Sequence, residues 1–337
     1  MKEKILLIYG GISAEHDVSI ASAKNVNDFI NKNKYEITLL YINKNGQWCI
    51  VNEIQDNTTN TGVPVVIDME SKTINGLKYD KAFPIMHGPY GEDGQIQGML
   101  RVLGIPFVGS DIMASACAMN KITMKKLFQT SLLPVGLYIH FNKDDYQNNT
   151  SNYNFEKITS QLGLPIFIKP ASMGSSIGIS KVNNELEYTK AIEEAFKYDK
   201  QIILEKYIKG RELEVGVLET DNEIKVSVIG EVVTDYTRHD FYNYEAKYKE
   251  GNTGVSMIVP AKIQEKVSED IKSMALLAFR SLSCRDLARV DFFYADDGKV
   301  YINEINTMPG FTNTSMYPRL WSSQGISTDI LIDKLII

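Results

Sequence analysis

Cysteine is scarce in this chain, and the three that occur, Cys49, Cys117 and Cys284, lie far apart with no Cys-x-x-Cys pair. An odd, scattered set excludes a disulfide framework and a cysteine-built metal centre, and it fits reduced thiols in a cytoplasm. Nowhere do 18 apolar residues follow one another, and the opening Met-Lys-Glu-Lys leads straight into a strand-like run without the apolar stretch of an export signal. Neither export nor a membrane partner is therefore expected. The sequons at Asn57, Asn148 and Asn149 then read as accidents of an Asn-rich composition. Positive charge is also short: 36 Lys and Arg stand against 42 Asp and Glu, a net charge of −6. That excludes the strong positive field of a sequence-independent nucleic-acid binder, although a few placed lysines can still hold a phosphate. Internal repeats and the GxxxxGK[ST] phosphate loop are missing as well.

What is present is a globular composition, 44% hydrophobic and 23% charged over 337 residues, enough for two or three domains of roughly 100–150 residues each. Residues 4–9 form a continuous apolar run, as expected of a parallel strand buried on both faces. Gly10-Gly11 turns the chain, and Ser13 is placed to cap a helix whose first turn carries Glu15 and Asp17. Further strands are expected at 36–42 and 81–86 and a helix at 94–103, which makes residues 1–110 a doubly wound α/β domain. A helix at 119–130, strands at 165–170, 177–182 and 200–205 and a helix at 184–197 follow, with mixed connections. The last third is α+β, with strands at 213–219, 223–233, 286–295 and 299–305, a helix at 261–282 and a short amphipathic helix at 326–336. The polar stretches 52–62 and 142–154 read as loops.

Five segments carry chemistry. Lys169 to Gly178 lies between two strands; Gly174 and Gly178 let backbone amides close on an anion, Ser172, Ser175 and Ser176 add hydroxyls, and Lys169 ends a buried strand where an ammonium needs an anionic partner. A polar hairpin turn is the structural alternative. Arg289-Val-Asp291 and Asn303-Glu304-Ile-Asn306 flank an Asp-Asp-Gly turn and should pair as a hairpin. Two carboxylates and an amide oxygen form a hard-donor set suited to Mg²⁺, with Arg289 beside it to stabilise charge; a cross-strand salt bridge is the plain alternative. Pro309-Gly310 turns the chain next to those carboxylates and exposes amides as an oxyanion hole needs. His87 to Gly94 leaves a strand for a helix, at the end of an α/β sheet where ligands bind. Phe241 to Tyr248 gathers three tyrosines and Lys247, a composition able to cover a site or to pack as a strand.

The order of these segments carries more than any one of them. Gly10-Gly11-x-Ser-Ala-Glu15, His87-Gly, Gly91-Glu-Asp-Gly, Lys169-Pro-x-x-x-Gly-Ser175-Ser, Tyr-Glu-Ala-Lys247-Tyr248, Arg289-Val-Asp291 and Asn303-Glu-x-Asn-Thr-x-Pro-Gly resemble the D-alanine–D-alanine ligases over nearly the whole chain. The resemblance implies an ATP-grasp fold behind the N-terminal domain, with a central subdomain at 111–205 and a C-terminal one at 206–337 that bears the metal and catalytic site. It implies ATP-dependent ligation of two D-alanines through an acyl phosphate, for peptidoglycan precursor synthesis, with two Mg²⁺ ions for which Mn²⁺ can substitute. By matching position, Lys121, Lys169 and Lys247 would meet phosphates, the backbone of Lys206 to Ile208 the adenine, and Glu205 and Glu212 the nucleoside. Asp291, Glu304 and Asn306 would hold the metals. Glu15 would hold the first D-alanine's ammonium and Ser315 the second's carboxylate, with His87 a further substrate contact. Arg289 and the Gly310 amide would face the developing oxyanion, and Ser175 and Tyr248 would fasten the covering segment. Small-molecule substrates, a homodimer and a cytoplasmic location follow on the same footing. Tyr248 favours D-alanine over D-lactate as the second substrate. The competing readings are another ATP-grasp carboxylate–amine ligase and a nucleotide-binding regulator without catalysis. One departure stands at 119–121, Met-Asn-Lys where the family usually has Met-Asp-Lys, and it is expected to weaken a local hydrogen bond.

Overall fold

A computed structural model describes residues 2–55, 62–220, 223–234 and 254–337. The first unit is a five-stranded sheet. Its centre is parallel: β1 (Glu3–Gly10) lies between β2 (Tyr35–Ile42) and a later strand, Lys81–Pro84. The sheet gains an antiparallel edge through β3 (Trp48–Val51) and β4 (Val63–Pro64), which the doubly wound reading did not include. The hairpin leading into β3 is made by Asn43, whose Oδ1 accepts from the amides of Asn45 and Gln47 at 3.0 and 2.9 Å. A small hairpin, β5 (Ile67–Asp68) and β6 (Thr73–Ile74), precedes β7 (Lys81–Pro84). Of the polar stretch 52–62, residues 52–55 are irregular and 56–61 lie outside the described residues.

Helix α1 (His16–Phe29) starts two residues later than the capping argument implied. Glu15 occupies the cap position, and the Ser13 hydroxyl is committed elsewhere: it accepts from Glu15 N at 3.2 Å and donates to the His87 carbonyl at 2.7 Å. Helix α2 (Gln95–Leu103) stops at Gly104, whose φ of +69° suits a left-handed C-terminal cap.

The helix expected over 119–130 is α4 (Lys121–Thr130); a further helix that was not expected, α3 (Ile112–Met119), precedes it, the two separated at Asn120. Asn120 is extended and caps α4, its Oδ1 accepting from Thr123 N at 2.9 Å. Its Nδ2 donates to Ser172 Oγ at 2.9 Å, a bond that a carboxylate could not donate. The Met-Asn-Lys departure therefore keeps the cap, and it makes the Ser172 contact with an amide donor where an aspartate could only accept from the hydroxyl.

The second sheet is wholly antiparallel, in the order β10-β9-β11-β8, with β8 (Tyr138–Asn142), β9 (Ile166–Pro170), β10 (Ser180–Val182) and β11 (Gln201–Lys206). The stretch 142–154 is not a plain loop. It holds α5 (Lys143–Asn148) and one 3₁₀ turn, because Asn142 caps the helix at Asp145 N, Tyr146 stacks on Phe141 and Tyr153 packs tilted against the same ring. Helices α6 (Phe155–Leu162) and α7 (Glu185–Tyr198) bury their apolar faces on the sheet.

The third sheet is also antiparallel: β12 (Gly210–Thr220), β13 (Glu223–Thr234), β14 (Val255–Ile258), β15 (Leu287–Ala295) and β16 (Val300–Asn306), in the order β14-β13-β12-β15-β16. One face packs on α8 (Glu265–Ser281) and on α3 and α4. The chain ends in α9 (Met316–Ser322) and α10 (Thr328–Ile336). These two helices share one core with the first sheet, with Tyr317, Trp321, Leu331 and Leu335 packed among Ile5, Leu7 and Phe83. Asp333 of α10 accepts from Lys34 and Tyr35 at 2.5 and 2.7 Å, which fixes the last helix to the start of β2.

Candidate active site

Glu205, next to the last residue of β11, is buried, and two lysines converge on its carboxylate: Lys169 of β9 at 2.5 Å and Lys125 of α4 at 3.0 Å. Burial by itself would raise the carboxyl's pKa, but Lys125 and Lys169 outweigh it and hold the group well below the usual carboxylate range. Burial would likewise lower the Lys169 ammonium, and Glu205, Glu304 and Glu212 together keep it above its ordinary value. Lys121 opens α4, and its Nζ donates to the Met173 carbonyl at 2.6 Å. That bond ties the helix to the Ser/Gly turn between β9 and β10.

Ser175 and Ser176 in this turn have φ of +47° and +59°, the left-handed region. The Ser175 hydroxyl donates to Glu15 Oε1. Glu15 sits between two glycines from different units: a Cβ at Gly88 or at Gly174 would lie 2.5 Å from Glu15 Oε2. Both positions must therefore lack a side chain for this carboxylate to reach the site.

The third sheet supplies a polar face. Register pairs Arg289 with Asn306, Asp291 with Glu304 and, on the other side, Asp291 with Glu214. Directly paired residues share a face and alternate residues repeat it, so these five side chains project together while Val215, Val290 and Ile305 go to the core. Arg289 grips Asp291 as a fork, with Nε and an Nη each 2.7 Å from a carboxylate oxygen, and its Nε lies 3.1 Å from Glu214. Asn306 Nδ2 donates to Asp291 at 3.1 Å, so its amide oxygen is the atom available to a cation. Asp291, Glu304 and that amide oxygen form a hard-oxygen set with two carboxylates. Among the described residues no three His, Cys, Asp or Glu side chains come together as a metal cage. Such a set fits Mg²⁺, which binds through one or two carboxylates and completes its shell with phosphate oxygens and water.

His87 is buried behind the Pro309–Gly310 turn, its Nδ1 3.1 Å from the Met308 carbonyl and 3.7 Å from Glu92. Burial would lower its pKa, but Glu92, Glu15 and the Met308 carbonyl hold it above the ordinary histidine value.

One cavity gathers Glu15, His87, Lys121, Lys169, Ser175, Glu205, Lys206, Ile208, Glu212, Arg289, Asp291, Glu304, Asn306 and Gly310. Ser315 stands just behind it: its Oγ accepts from Thr312 N at 3.0 Å, and a Cβ on Gly310 would lie 2.8 Å from that oxygen. Lys247 and Tyr248 lie outside the described residues. Sequence reading missed Lys125, Glu214 and Glu92. Lys125 could have been found as a lysine on the buried face of α4, beside Ile122, Met124 and Phe128. Glu214 could have been found by alternation from Glu212, since both point to one face of β12.

Residues 4–110 match the protein family described as D-ala D-ala ligase N-terminus, and residues 127–337 that described as D-ala D-ala ligase C-terminus. The chain is 43% identical to a D-alanine–D-alanine ligase of Staphylococcus epidermidis over 343 aligned positions, covering 99% of this chain and 94% of that protein. It is 42% identical to that of Staphylococcus haemolyticus, covering 100% and 95%. Among solved structures it superposes on the VanG D-Ala:D-Ser ligase from Enterococcus faecalis with a TM-score of 0.87 at 34% identity, covering 100% of this chain and 99% of that one. The D-alanine–D-alanine ligase from Coxiella burnetii gives a TM-score of 0.86 at 31% identity, covering 99% and 93%.

Proposed function

The chain belongs to the D-alanine–D-alanine ligase family, and from that premise we propose that it joins two D-alanines to D-alanyl-D-alanine at the expense of ATP, for peptidoglycan precursor synthesis. Its fold is the ATP-grasp arrangement, here two antiparallel sheets behind an N-terminal α/β unit. The observation that carries the reading is one cavity lined by Lys121, Lys169 and Glu205, by the Arg289–Asp291–Glu304–Asn306 face, and by Glu15.

The γ-phosphoryl group passes to the carboxylate of the first D-alanine, giving an acyl phosphate and ADP. The second D-alanine's amine attacks that carbonyl, and phosphate leaves. Phosphoryl transfer asks the protein for position and charge neutralisation more than for a covalent partner. Lys121 and Lys169 hold phosphates, the backbone of Lys206 to Ile208 faces the adenine, and Glu205 and Glu212 contact the nucleoside. Glu15 takes the first substrate's ammonium, Ser315 the second's carboxylate, and His87 lies beside them. Arg289 and the Gly310 amide face the oxyanion of the tetrahedral intermediate. Asp291, Glu304 and Asn306 hold the divalent ions, two Mg²⁺ with Mn²⁺ as substitute, whose chemistry is to neutralise phosphate charge. To Lys247 and Tyr248, which lie outside the described residues, we assign the task of keeping water from the acyl phosphate, with Ser175 and Glu15 as the proposed partners of Tyr248. We assign residues 1–110 to the N-terminal domain, 111–205 to the central subdomain and 206–337 to the C-terminal one. We further propose a cytoplasmic location and a homodimeric assembly. Among the described residues no helix is long and apolar enough to cross a membrane.

The test is phosphate release from ATP and Mg²⁺ with D-alanine, L-alanine, or D-alanine plus D-lactate or D-serine, with mass spectrometry of the product. D-alanine-dependent release and a D-alanyl-D-alanine mass are expected. Faster incorporation of D-serine or D-lactate than of D-alanine at neutral pH would refute the choice of second substrate.

A further inference from the structure

Helix α1 carries a buried polar stripe, Ser19, Ser22 and Asn25, at helical spacing. Ser19 serves its own sheet, donating to the Ile85 carbonyl at 2.6 Å. Ser22 and Asn25 reach across to the far end of the chain. The Phe311 amide donates to Ser22 Oγ at 3.1 Å, and Asn25 Nδ2 donates to the Phe311 carbonyl at 2.6 Å. Both polar groups of one peptide residue are thus held by one helix face. The Phe311 ring, fully buried, packs edge-on to Phe83 at 6.1 Å and against Tyr317 at 5.8 Å.

The upstream side of the same turn is held too. A carbonyl can only accept, so the proton between His87 Nδ1 and the Met308 carbonyl resides on Nδ1. His87 Nε2 lies 3.1 Å from Ser22 Oγ. The chain of contacts from Met308 through His87 and Ser22 to Phe311 closes a ring behind Pro309 and Gly310. Neither Ser22 nor Asn25 lines the cavity, whereas Gly310 does.

We propose that Ser22 and Asn25 are positioning residues for the reaction: they clamp Phe311 from both sides and so fix the direction of the Gly310 amide at the reacting carbonyl. The proposal rests on the reading of Gly310 as an oxyanion donor. An amide donor is effective when its direction is set before charge develops, because no reorganisation is then needed in the transition state. A Pro-Gly turn alone does not set that direction, and the clamp supplies what the local sequence leaves open. The N-terminal unit thereby contributes geometry to the chemistry as well as Glu15.

The experiment compares Ser22→Ala, Asn25→Ala, Ser22→Thr and Asn25→Asp with the wild type, using whichever amino acid the wild type activates. Wild-type turnover with D-alanine tests the functional reading; the ratios among variants test the clamp. The two alanine variants are expected to lose about tenfold to a hundredfold in kcat with the KM for ATP nearly unchanged. Ser22→Thr, which keeps the hydroxyl, should recover most of the loss. Hydrogen exchange over residues 308–313 gives a readout independent of turnover: the Phe311 amide should exchange much faster in Ser22→Ala. Unchanged kcat in both alanine variants, or unchanged exchange at Phe311, overturns the proposal, as does a kcat loss matched by an equal rise in the KM for ATP. If Ser22→Ala does not fold, Asn25→Asp decides, since it keeps the shape and replaces the donor by an acceptor: wild-type kcat there refutes the clamp.

Discussion

On the wall built by α4, β9 and β11, three lysines, Lys121, Lys125 and Lys169, accompany one buried carboxylate, Glu205. On the wall built by β12, β15 and β16 the proportion reverses, with Glu214, Asp291 and Glu304 around one Arg289. Lys206 and Glu212, which also line the cavity, offset each other. The first wall is therefore left positive and suits an anion such as a triphosphate; the second is left negative and suits a divalent cation. The supports differ as well. Glu205 is held by point charges from two other elements. Asp291 is held by a planar guanidinium two residues along its own strand, a bidentate geometry that a lysine cannot reproduce. A cavity of this kind suits a phosphate–metal complex, since it presents each half with the opposite sign.

The severest way to break this comparison is to remove the single carboxylate of the positive wall. Glu205→Ala leaves Lys125 and Lys169 buried without their counter-ion and should cost about 3–5 kcal/mol of stability, measured by urea unfolding. The pH dependence has a definite sign. The folded pKa of Glu205 lies below its ordinary 4.5, so its contribution is fully present above that pH and fades as pH falls towards the folded value. The stability gap between wild type and Glu205→Gln should stay constant from pH 7 to about 4.5 and narrow below it. A gap that does not narrow in acid would mean the lysines do not hold the carboxylate charged.

Removing the single cation of the negative wall should act on turnover. Arg289→Ala is expected to lower kcat about 10²–10³-fold, the usual loss for one donor to a developing oxyanion. Half-saturation by Mg²⁺ should not weaken, because three carboxylates then remain with no competing guanidinium. A smaller and more selective change is Glu304→Gln, which keeps the shape and removes one negative charge. It should raise the Mg²⁺ concentration for half-maximal activity by about tenfold and leave the thermal midpoint close to wild type. Loss of D-alanine affinity without a change in Mg²⁺ dependence would break the assignment of this wall to the cation.

Much of the negative wall could be read from the sequence, and the positive wall only in part. Arg289, Asp291, Glu304 and Asn306 sit on two strands joined by an Asp-Asp-Gly turn, and period-two alternation with antiparallel pairing places them on one face from local information. Lys169 was visible as a lysine ending a buried strand. Lys125 was not, because helical spacing shows only that its side of α4 is buried, and Glu205, the partner that makes a buried lysine tolerable, lies 80 positions away. Ser13 was taken for a cap because serine before a helix often is one, and a carbonyl from residue 87 claimed the hydroxyl instead.

By itself the sequence determined the elements with strong periodicity, the parallel strand at the start, the Ser/Gly hairpin, and the ordered motifs that carry the family. Those signals are local, set by strand alternation, helix spacing and turn chemistry over a few residues. Tertiary structure alone decided that α9 and α10 close the core of the first sheet. It also decided that Gly88 and Gly174 jointly make room for Glu15, and that Ser22 and Asn25 hold a turn nearly 290 positions downstream. Those facts depend on which buried polar group meets which, and a buried donor or acceptor takes its partner from whatever the fold brings within about 3 Å, whatever the distance along the chain.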